Sequence, residues 1–446
     1  MLERAESSSA QGNHSLLGRE YPLRDDLADE VHARPSDALE TPCRATCVAK
    51  LIDPGERAQE TRHLADLCIG FSVQPPPAEA NHFVAKMGPL TLKWERHGEF
   101  SGYTFIAAGQ SPKPFSEPPV LSLPPGWLAG IPGRVLVAAH AKIVAVPADG
   151  IDSAFLARHF GGNLVMGGDI GEHVGMAYTD FRVHVDGFSR FLLIDKGFTA
   201  RQAGRMLQRL FEIETYRMMA LLALPVARKQ STGLVEIETA LASVTTDIAS
   251  GDGDDEALLQ KVTRLAAEVE SGLAACQFRF GACRAYGELV ATRIAELRET
   301  RQPGIQPIGE FMERRFTPAV ATCAAVSQRL RDVSERVARA SALLSTRVDI
   351  ARERQNQALL ASMNRRAKAQ LRLQQAVERL SVAAIVYYAA GLLGYLTKGL
   401  KSAGAGVDPD ILVGASIPLL FLLVVIVTRS ARRRLSKDDQ RHPLLD

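Results

Sequence analysis

Cysteine is sparse in this sequence and follows no recognisable pattern. No two of the six cysteines have C-x-x-C spacing, and none lies at a metal-ligand interval from a histidine. Two of them, Cys43 and Cys47, would share one face of a strand but lie about 13 Å apart, too far for a disulfide bond. The others are Cys68, Cys276, Cys283 and Cys323. Reduced, unconnected thiols are therefore expected, as in a cytoplasmic protein.

An excess of either charge is also lacking. The 446 residues include 53 basic and 50 acidic side chains, so the overall charge does not indicate nucleic-acid binding. Aromatic residues make up 6%, and the second half is dominated by Ala, Arg, Leu, Glu and Gln, which is typical of long helices. The polar composition of residues 1–20 predicts a disordered tail, and these residues lack the apolar core of a secretory signal.

Charge is absent altogether from two runs, residues 380–396 and 411–428. As helices they would measure about 25 and 27 Å, close to a hydrocarbon core of about 30 Å. The alternative is a buried helical pair in a soluble protein. Because the second run is apolar around its whole circumference, the sequence favours a transmembrane hairpin with the lipid bilayer as its partner.

Cations flank this hairpin on its outer sides. Five precede the first run within residues 365–379 and five follow the second within residues 429–437. The connecting residues 397–410 carry two lysines against two aspartates. By the positive-inside rule, both ends of the chain are expected in the cytoplasm, with 429–446 as a basic tail.

The first run has two different sides when it is wound at about 100° per residue. One side, called the Tyr388 face below, consists of Ser381, Ala384, Tyr388, Gly391 and Tyr395. It is suited to close helix packing or to lining a pore. An arc suited to lipid consists of Val382, Ile385, Val386, Ala389, Leu393 and Leu396. Packing within the hairpin and packing in a homo-oligomer both stay open.

Proline and glycine are missing between Pro318 and Leu380. One helix over residues 318–379 would be about 90 Å long and would lead into the first apolar run. Its apolar residues recur at heptad-like steps, which predicts a coiled-coil stalk. Because amide side chains are frequent near its end, the alternative is a stalk that lines a polar axis above a membrane opening.

A further helical region is predicted over residues 200–317. Thr199 and Gln202 form a capping box before a helix at 200–224, which Pro225 is expected to end. Another helix is predicted at 256–299, and a proline- and glycine-bearing turn would let it pair antiparallel with the stalk.

Residues 21–199 carry the strand signals of an α+β cytoplasmic domain. PLTLKWE and EFSGYTFIA alternate as a hairpin does, and RVLVAAHAKIVAV predicts a buried strand. Asp186-Gly187 lies between two strand-like runs and predicts a two-residue turn. SAFLARHF reads as a helix, and antiparallel strands are favoured over a doubly wound sheet.

Two stretches hold side chains that could bind a ligand. A divalent metal or a general base could use Asp169, Glu172, His173, Asp180, His184 and Asp186. Their spacing matches no zinc hydrolase, and on a strand the last three would form an exposed polar face instead. The second set lies at the end of a short predicted helix and consists of Glu30, His32 and Arg34. Alternatively, this helix has only a structural role and docks on the rest of the protein.

Five motifs occur in order: LRDDLADEVHARPSDAL, TDFRVHVDGFSRFLLID, EIETYRMMALLALP, RVDIARERQNQALLASMNRRAKAQLRLQQAVERLSVAAIVYY and GLLGYLTKG. They resemble a bacterial family of membrane-anchored proteins, the domain of unknown function numbered thirty-four twenty-two. The resemblance covers Tyr21 to about Arg434. It implies a protein of the bacterial inner membrane and supplies no activity or cofactor.

The order of parts also resembles CorA-type metal-ion channels, in which an α/β domain and stalk helices precede two spans. Those channels end the first span with Gly-Met-Asn, whereas this chain has Gly394-Tyr395-Leu396. Three functions stay open: an oligomeric binding, sensing or scaffolding protein on the membrane, a channel or transporter lined by the first span, and a metal-dependent enzyme.

Overall fold

The computed structural model describes residues 21, 23–24, 27–28, 38–251, 253–402 and 408–439. The chain divides after Ala342 into two compact units. The tail predicted at 1–20 and the ligand candidates Glu30, His32 and Arg34 lie outside the described residues.

A nine-stranded sheet dominates the first unit. Its strands are β1 (Cys43–Leu51), β2 (His82–Met87), β3 (Leu90–Arg96), β4 (Phe100–Ala108), β5 (Arg134–Ala145), β6 (Met166–Ile170), β7 (Gly175–Thr179), β8 (Ser189–Asp195) and β9 (Thr300–Arg301). Their order is β2-β3-β4-β1-β5-β8-β7-β6-β9. The sheet is mixed, because β5 and β8 are parallel while the other paired strands are antiparallel.

Helices follow and separate these strands. They are α1 (Arg57–Gly70), α2 (Trp127–Gly130), α3 (Ser153–Phe160), α4 (Ala200–Leu221), α5 (Ala223–Ser250), α6 (Asp255–Leu297), α7 (Ile308–Arg315), α8 (Thr317–Ser402) and α9 (Pro409–Asp439). The predicted strands around PLTLKWE, EFSGYTFIA and RVLVAAHAKIVAV correspond to β3, β4 and β5, and SAFLARHF is α3.

Both faces of the sheet are covered, which gives the first unit three layers. On β3, Leu90, Leu92 and Trp94 alternate towards a buried cluster that includes Leu64 of α1. On the other face, the ring of Phe191 in β8 lies edge-on to that of Phe211 in α4, with centroids 6.1 Å apart. Period-two alternation therefore turns the charged residues of β3 towards the α4 side.

Pro225 does not end the helical region as expected. Helix α4 ends at Leu221, and α5 begins two residues later with Pro225 in its first turn. A backbone N–H has no partner within the helix at that position, so proline costs nothing there. The capping box of Thr199 and Gln202 at the start of α4 is present as predicted.

The turn predicted at Asp186-Gly187 is also different. The amide of His184 donates to Phe188 O and the amide of Gly187 donates to His184 O, both at 2.9 Å. This is a three-residue loop with Gly187 at φ 84°, a conformation that glycine adopts without strain. Residues 180–188 are not a strand, so Asp180, His184 and Asp186 do not share a strand face.

Helix α6 packs antiparallel to the beginning of α8, as the turn between them predicted. A Cβ atom on Gly272 would lie 3.6 Å from Leu330, and Ser334 Oγ donates to Glu270 Oε1 at 2.9 Å. Helix α5 joins them through the side chains of Arg329 and Glu238, which form an ion pair. These contacts belong to the first unit.

The second unit consists of the rest of α8 and of α9. Helix α8 is unbroken from Thr317 to Ser402, so the predicted stalk and the first apolar run form one helix. Both α8 and α9 contain a segment long and apolar enough to cross a membrane. No residue in the apolar window of α9, Asp410–Thr428, is buried.

Candidate functional site

A cavity of about 210 Å³ lies between the sheet and α4 in the first unit. Its floor is formed by β1, β3 and β4, its roof by α4, and Arg293 of α6 closes one side. The lining mixes charged and hydroxyl groups with large apolar side chains. Such a combination is typical of small-molecule sites, and the volume lies below the roughly 300–1,000 Å³ of pockets that bind drug-sized ligands.

Strand register brings the floor residues together. Cys47 of β1 pairs with Thr104 of β4, and Thr104 pairs with Lys93 of β3. Directly paired residues project from the same face of a sheet. The three side chains therefore lie in a row across three strands, on the face opposite to Leu92 and Trp94.

A chain of polar contacts crosses the cavity from floor to roof. The ammonium group of Lys93 lies 3.3 Å from Glu95 Oε1 and 3.4 Å from Gln208 Oε1 of α4. The amide of Gln208 donates in turn to Glu212 Oε1 at 2.7 Å. Since an ammonium has three N–H groups, Lys93 has one more to offer a ligand.

The chain of contacts continues into α6. Arg293 Nε donates to Glu212 Oε2, and Arg293 Nη1 lies 3.1 Å from Glu296 Oε2. Arg209 Nε donates to the same Glu296 oxygen at 3.0 Å. Positive and negative side chains alternate from Glu95 to Arg209, so the network carries no net charge.

The thiol and the phenol in the lining are protonated near neutral pH. Burial raises the pKa of Cys47 to about 12, and burial also raises the pKa of Tyr216 above its ordinary value. A thiol is nucleophilic only as a thiolate. The carboxylates of Glu95 and Glu212 are each engaged by a cation. The arrangement therefore suits binding better than catalysis.

Sequence reasoning did not identify this cavity. The available signal was weak: Lys93 and Glu95 alternate with buried residues on β3, a pattern that also describes an exposed strand face. Lys93 is 7% exposed, and burial of a lysine is unusual unless its charge is paired. Only the position of α4 over the sheet makes these residues part of a site.

The six metal-ligand candidates are spread over three places rather than gathered into one. Asp169 is the penultimate residue of β6 and accepts a hydrogen bond from Lys196 Nζ at 2.9 Å, and its other oxygen lies 3.7 Å from His173 Nδ1. Burial opposes ionisation of Asp169, but hydrogen bonds from Lys196 and Gln302 outweigh it and lower its pKa. Glu172 pairs with Arg298 instead.

The other three candidates lie in the loop between β7 and β8. Asp180 is buried and accepts a hydrogen bond from Asn163 Nδ2 at 2.8 Å. Nε2 of His184 is 2.9 Å from Asp180 Oδ2, at an angle unsuited to a hydrogen bond. Asp186 faces Arg190 at 3.4 Å. The described part of the chain contains no group of three or more His, Cys, Asp or Glu side chains arranged to hold a metal ion.

All five residues of the Tyr388 face are exposed in the second unit. The covered positions of α8 in this segment are centred on Val386, which is 8% exposed. They comprise four residues of the arc that sequence reasoning assigned to lipid and two beside that arc: Val382, Val386, Ala389, Leu393, Ala390 and Gly394. A Cβ atom on Gly394 would lie 3.7 Å from Val413 of α9, whereas one on Gly391 would meet nothing within 4 Å. Helix α9 therefore packs away from the Tyr388 face.

Comparison with known families covers nearly the whole molecule. Residues 19–435 match the family described as "Protein of unknown function (DUF3422)". The chain belongs to this family. The match includes every residue of the cavity and of the Tyr388 face, so both are parts of the family's domain. The resemblance seen in the five motifs is confirmed. No curated protein matches the chain.

Proposed function

We propose that this protein is a membrane-anchored cytoplasmic sensor that binds a small ligand in the cavity between the sheet and α4. The observation that carries the proposal is the chain of polar contacts that runs from the buried Lys93 through the half-buried Gln208 and Glu212 to Arg293. It places a remaining N–H of Lys93 beside apolar side chains in the cavity.

The composition of the lining restricts the ligand. The network is already neutral, and a ligand with net charge would lose its hydration without gaining a counter-charge. Lys93 and Thr104 can bond the polar end of a ligand, while Phe100, Leu207 and Phe211 can pack on its apolar end. The expected ligand is a small, uncharged or zwitterionic molecule with one apolar side.

The anchor is the hairpin of the apolar segments of α8 and α9. Each is long and apolar enough to cross a bilayer, and cations flank the hairpin on its outer sides, which supports cytoplasmic chain ends. Reporter enzymes fused to the two ends of the chain test this topology. Activity of both fusions on the cytoplasmic side is expected, and opposite sides for the two ends would contradict it.

Ligand binding can be tested on the full chain in detergent. A panel of small metabolites is screened by thermal shift, and hits are measured by calorimetry. Lys93→Met should weaken binding of a hit about ten-fold or more, because a charge-assisted hydrogen bond contributes roughly 1.5–3 kcal/mol. The matched control is Lys86→Met on the exposed side of β2, which should bind normally. Equal affinity of both variants would contradict this site.

A channel or transporter is the second candidate, because α9 leaves the Tyr388 face uncovered. In this alternative, several copies of the face surround a passage, although Gly394-Tyr395-Leu396 replaces the Gly-Met-Asn of CorA-type channels. Ion flux into liposomes should then be reduced by Tyr388→Trp or Gly391→Leu. Flux that is absent, or unchanged in both variants, would contradict the channel.

A further inference from the structure

We infer that α8 associates side by side with α8 of a second copy of this chain, through one heptad stripe that begins before the apolar segment and continues into it. Consecutive residues of the stripe are separated alternately by three and by four positions in the sequence. Its first part consists of Leu360, Met363, Ala367, Gln370, Gln374 and Val377. The next steps, without any break in the pattern, give the five residues of the Tyr388 face.

The stripe is uncovered over its full length. All its residues are exposed, including Leu360 at 63%, Met363 at 57% and Tyr388 at 71%. Leu371 and Leu373 flank it and are also exposed. Large apolar side chains that recur on one face of a helix mark a surface that another helix covers.

The opposite side of α8 is already occupied or charged. Arg365, Arg372 and Arg379 follow one another at intervals of seven residues, and the same interval leads to Val386 and Leu393. Arginines therefore line this side of the stalk, and α9 covers its continuation. The stripe lies about half a turn away from both, since first and fourth heptad positions face away from the sixth.

Lipid does not account for the stripe. Leu360 precedes Leu380, where the apolar segment begins, by 20 residues, or about 30 Å of helix. Its first part would therefore lie outside the hydrocarbon core. Because one unbroken pattern runs through both environments, the same protein partner is expected along all of it.

The repeat and its chemistry favour a second copy as that partner. A seven-residue repeat drifts about 20° per heptad on a straight helix, so a partner stays in contact over five heptads only by supercoiling with a similar repeat. The stripe carries no charge, and the amides of Gln370 and Gln374 both donate and accept, so they can pair with their own copies. Parallel alignment rests on the proposed membrane anchor, because all copies insert with the same orientation.

Cysteine cross-linking of the full chain in its membrane tests the interface with matched pairs. Gln374→Cys is compared with Gln375→Cys, and Ala384→Cys with Ala383→Cys. All four positions are exposed, and the six native cysteines are buried and precede the second unit. In a parallel pair, the two cysteines at a stripe position come within disulfide reach, whereas those one residue away point about 100° aside.

Oxidation should give disulfide-linked dimers about ten-fold more abundantly at Gln374 and Ala384 than at their neighbours. Equal cross-linking within each pair, or none at either stripe position, would overturn the interface. Alkaline extraction of the same membranes is scored separately. Release of the chain would contradict the membrane anchor, whereas retained chains without the alternating pattern would contradict only the interface. Ligand binding is measured independently of both.

Discussion

The indole N–H of Trp94 donates a hydrogen bond to Glu60 Oε1 at 3.0 Å, inside a core where neither residue is more than 1% exposed. The phenol of Tyr103 donates to the same oxygen at 3.0 Å. The other oxygen faces Arg57 at 3.3 Å and Arg96 at 3.7 Å. One carboxylate of α1 thus ties the helix to β3 and β4.

Removal of this carboxylate should be strongly destabilising. Glu60→Ala leaves two buried donors and two cations without their acceptor, which is expected to cost about 3–5 kcal/mol of the free energy of unfolding. Chemical denaturation of the full chain in detergent checks this value. Glu60→Gln keeps an acceptor oxygen and should lose less. A cost below about 1 kcal/mol for Glu60→Ala would contradict the role.

Acid should destabilise the first unit through His140. The pKa of this histidine is lowered from its ordinary 6.5 to about 4, mainly by burial. The charge of Asp186 opposes this shift, and the charge of Arg190 adds to it. The unfolded chain therefore takes up a proton at a higher pH than the folded chain. Stability conferred by neutral His140 is present above about pH 6.5 and is lost as the pH falls towards 4.

The expected loss is about 3 kcal/mol across that window. Denaturation midpoints measured between pH 7 and pH 4.5 check the slope, and His140→Gln should flatten it. The pKa of His159 is also lowered, mainly by burial, so a residual slope of the same sign is expected in the variant. Identical slopes for both proteins would show that His140 is not responsible.

Two glycines with similar backbone angles should respond differently to alanine. Gly133 has φ +80°, and a Cβ atom there would lie 2.1 Å from Leu51 O. Gly109 has φ +83° with nothing within 4 Å. Gly133→Ala adds a backbone clash to the left-handed conformation and should cost about 3 kcal/mol or more.

Gly109→Ala serves as the matched control and should cost only about 1 kcal/mol, the ordinary price of that conformation. Thermal melts of the two variants distinguish the contributions of conformation and contact. Equal melting temperatures would mean that the β1 backbone moves aside at Gly133.

The start of α4 offers a test of local capping. Thr199 Oγ1 accepts a hydrogen bond from the amide of Gln202 at 3.3 Å. Thr199→Ala should therefore lower the free energy of unfolding by about 1 kcal/mol. Thr246→Ala, at an exposed position within α5, should be neutral or slightly stabilising because alanine has the higher helix propensity. A reversed order of the two variants would contradict the cap.

Local patterns predicted most of the elements and missed those decided by context. Alternation on β3 and β4, the capping box before α4 and the gap in proline and glycine after Pro318 each depend on neighbouring residues, and each corresponds to an observed element. Two of the errors involve residues with two local meanings. Pro225 can end a helix or begin one, and Asp186-Gly187 fits a two-residue or a three-residue loop.

The cavity and the uncovered side of α8 required three-dimensional information for a physical reason. Lys93, Gln208 and Arg293 are each separated by more than 80 residues from the next one along the chain, and nothing in the sequence near any of them specifies the others. Likewise, the composition of the apolar segment of α8 distinguished two sides of the helix. Which of these sides packs against α9 depended on the position of α9. The sequence by itself determined which segments are strands, long helices and apolar helices, because those follow from short-range periodicity. Tertiary structure decided which of their faces meet, because that depends on packing between residues distant along the chain.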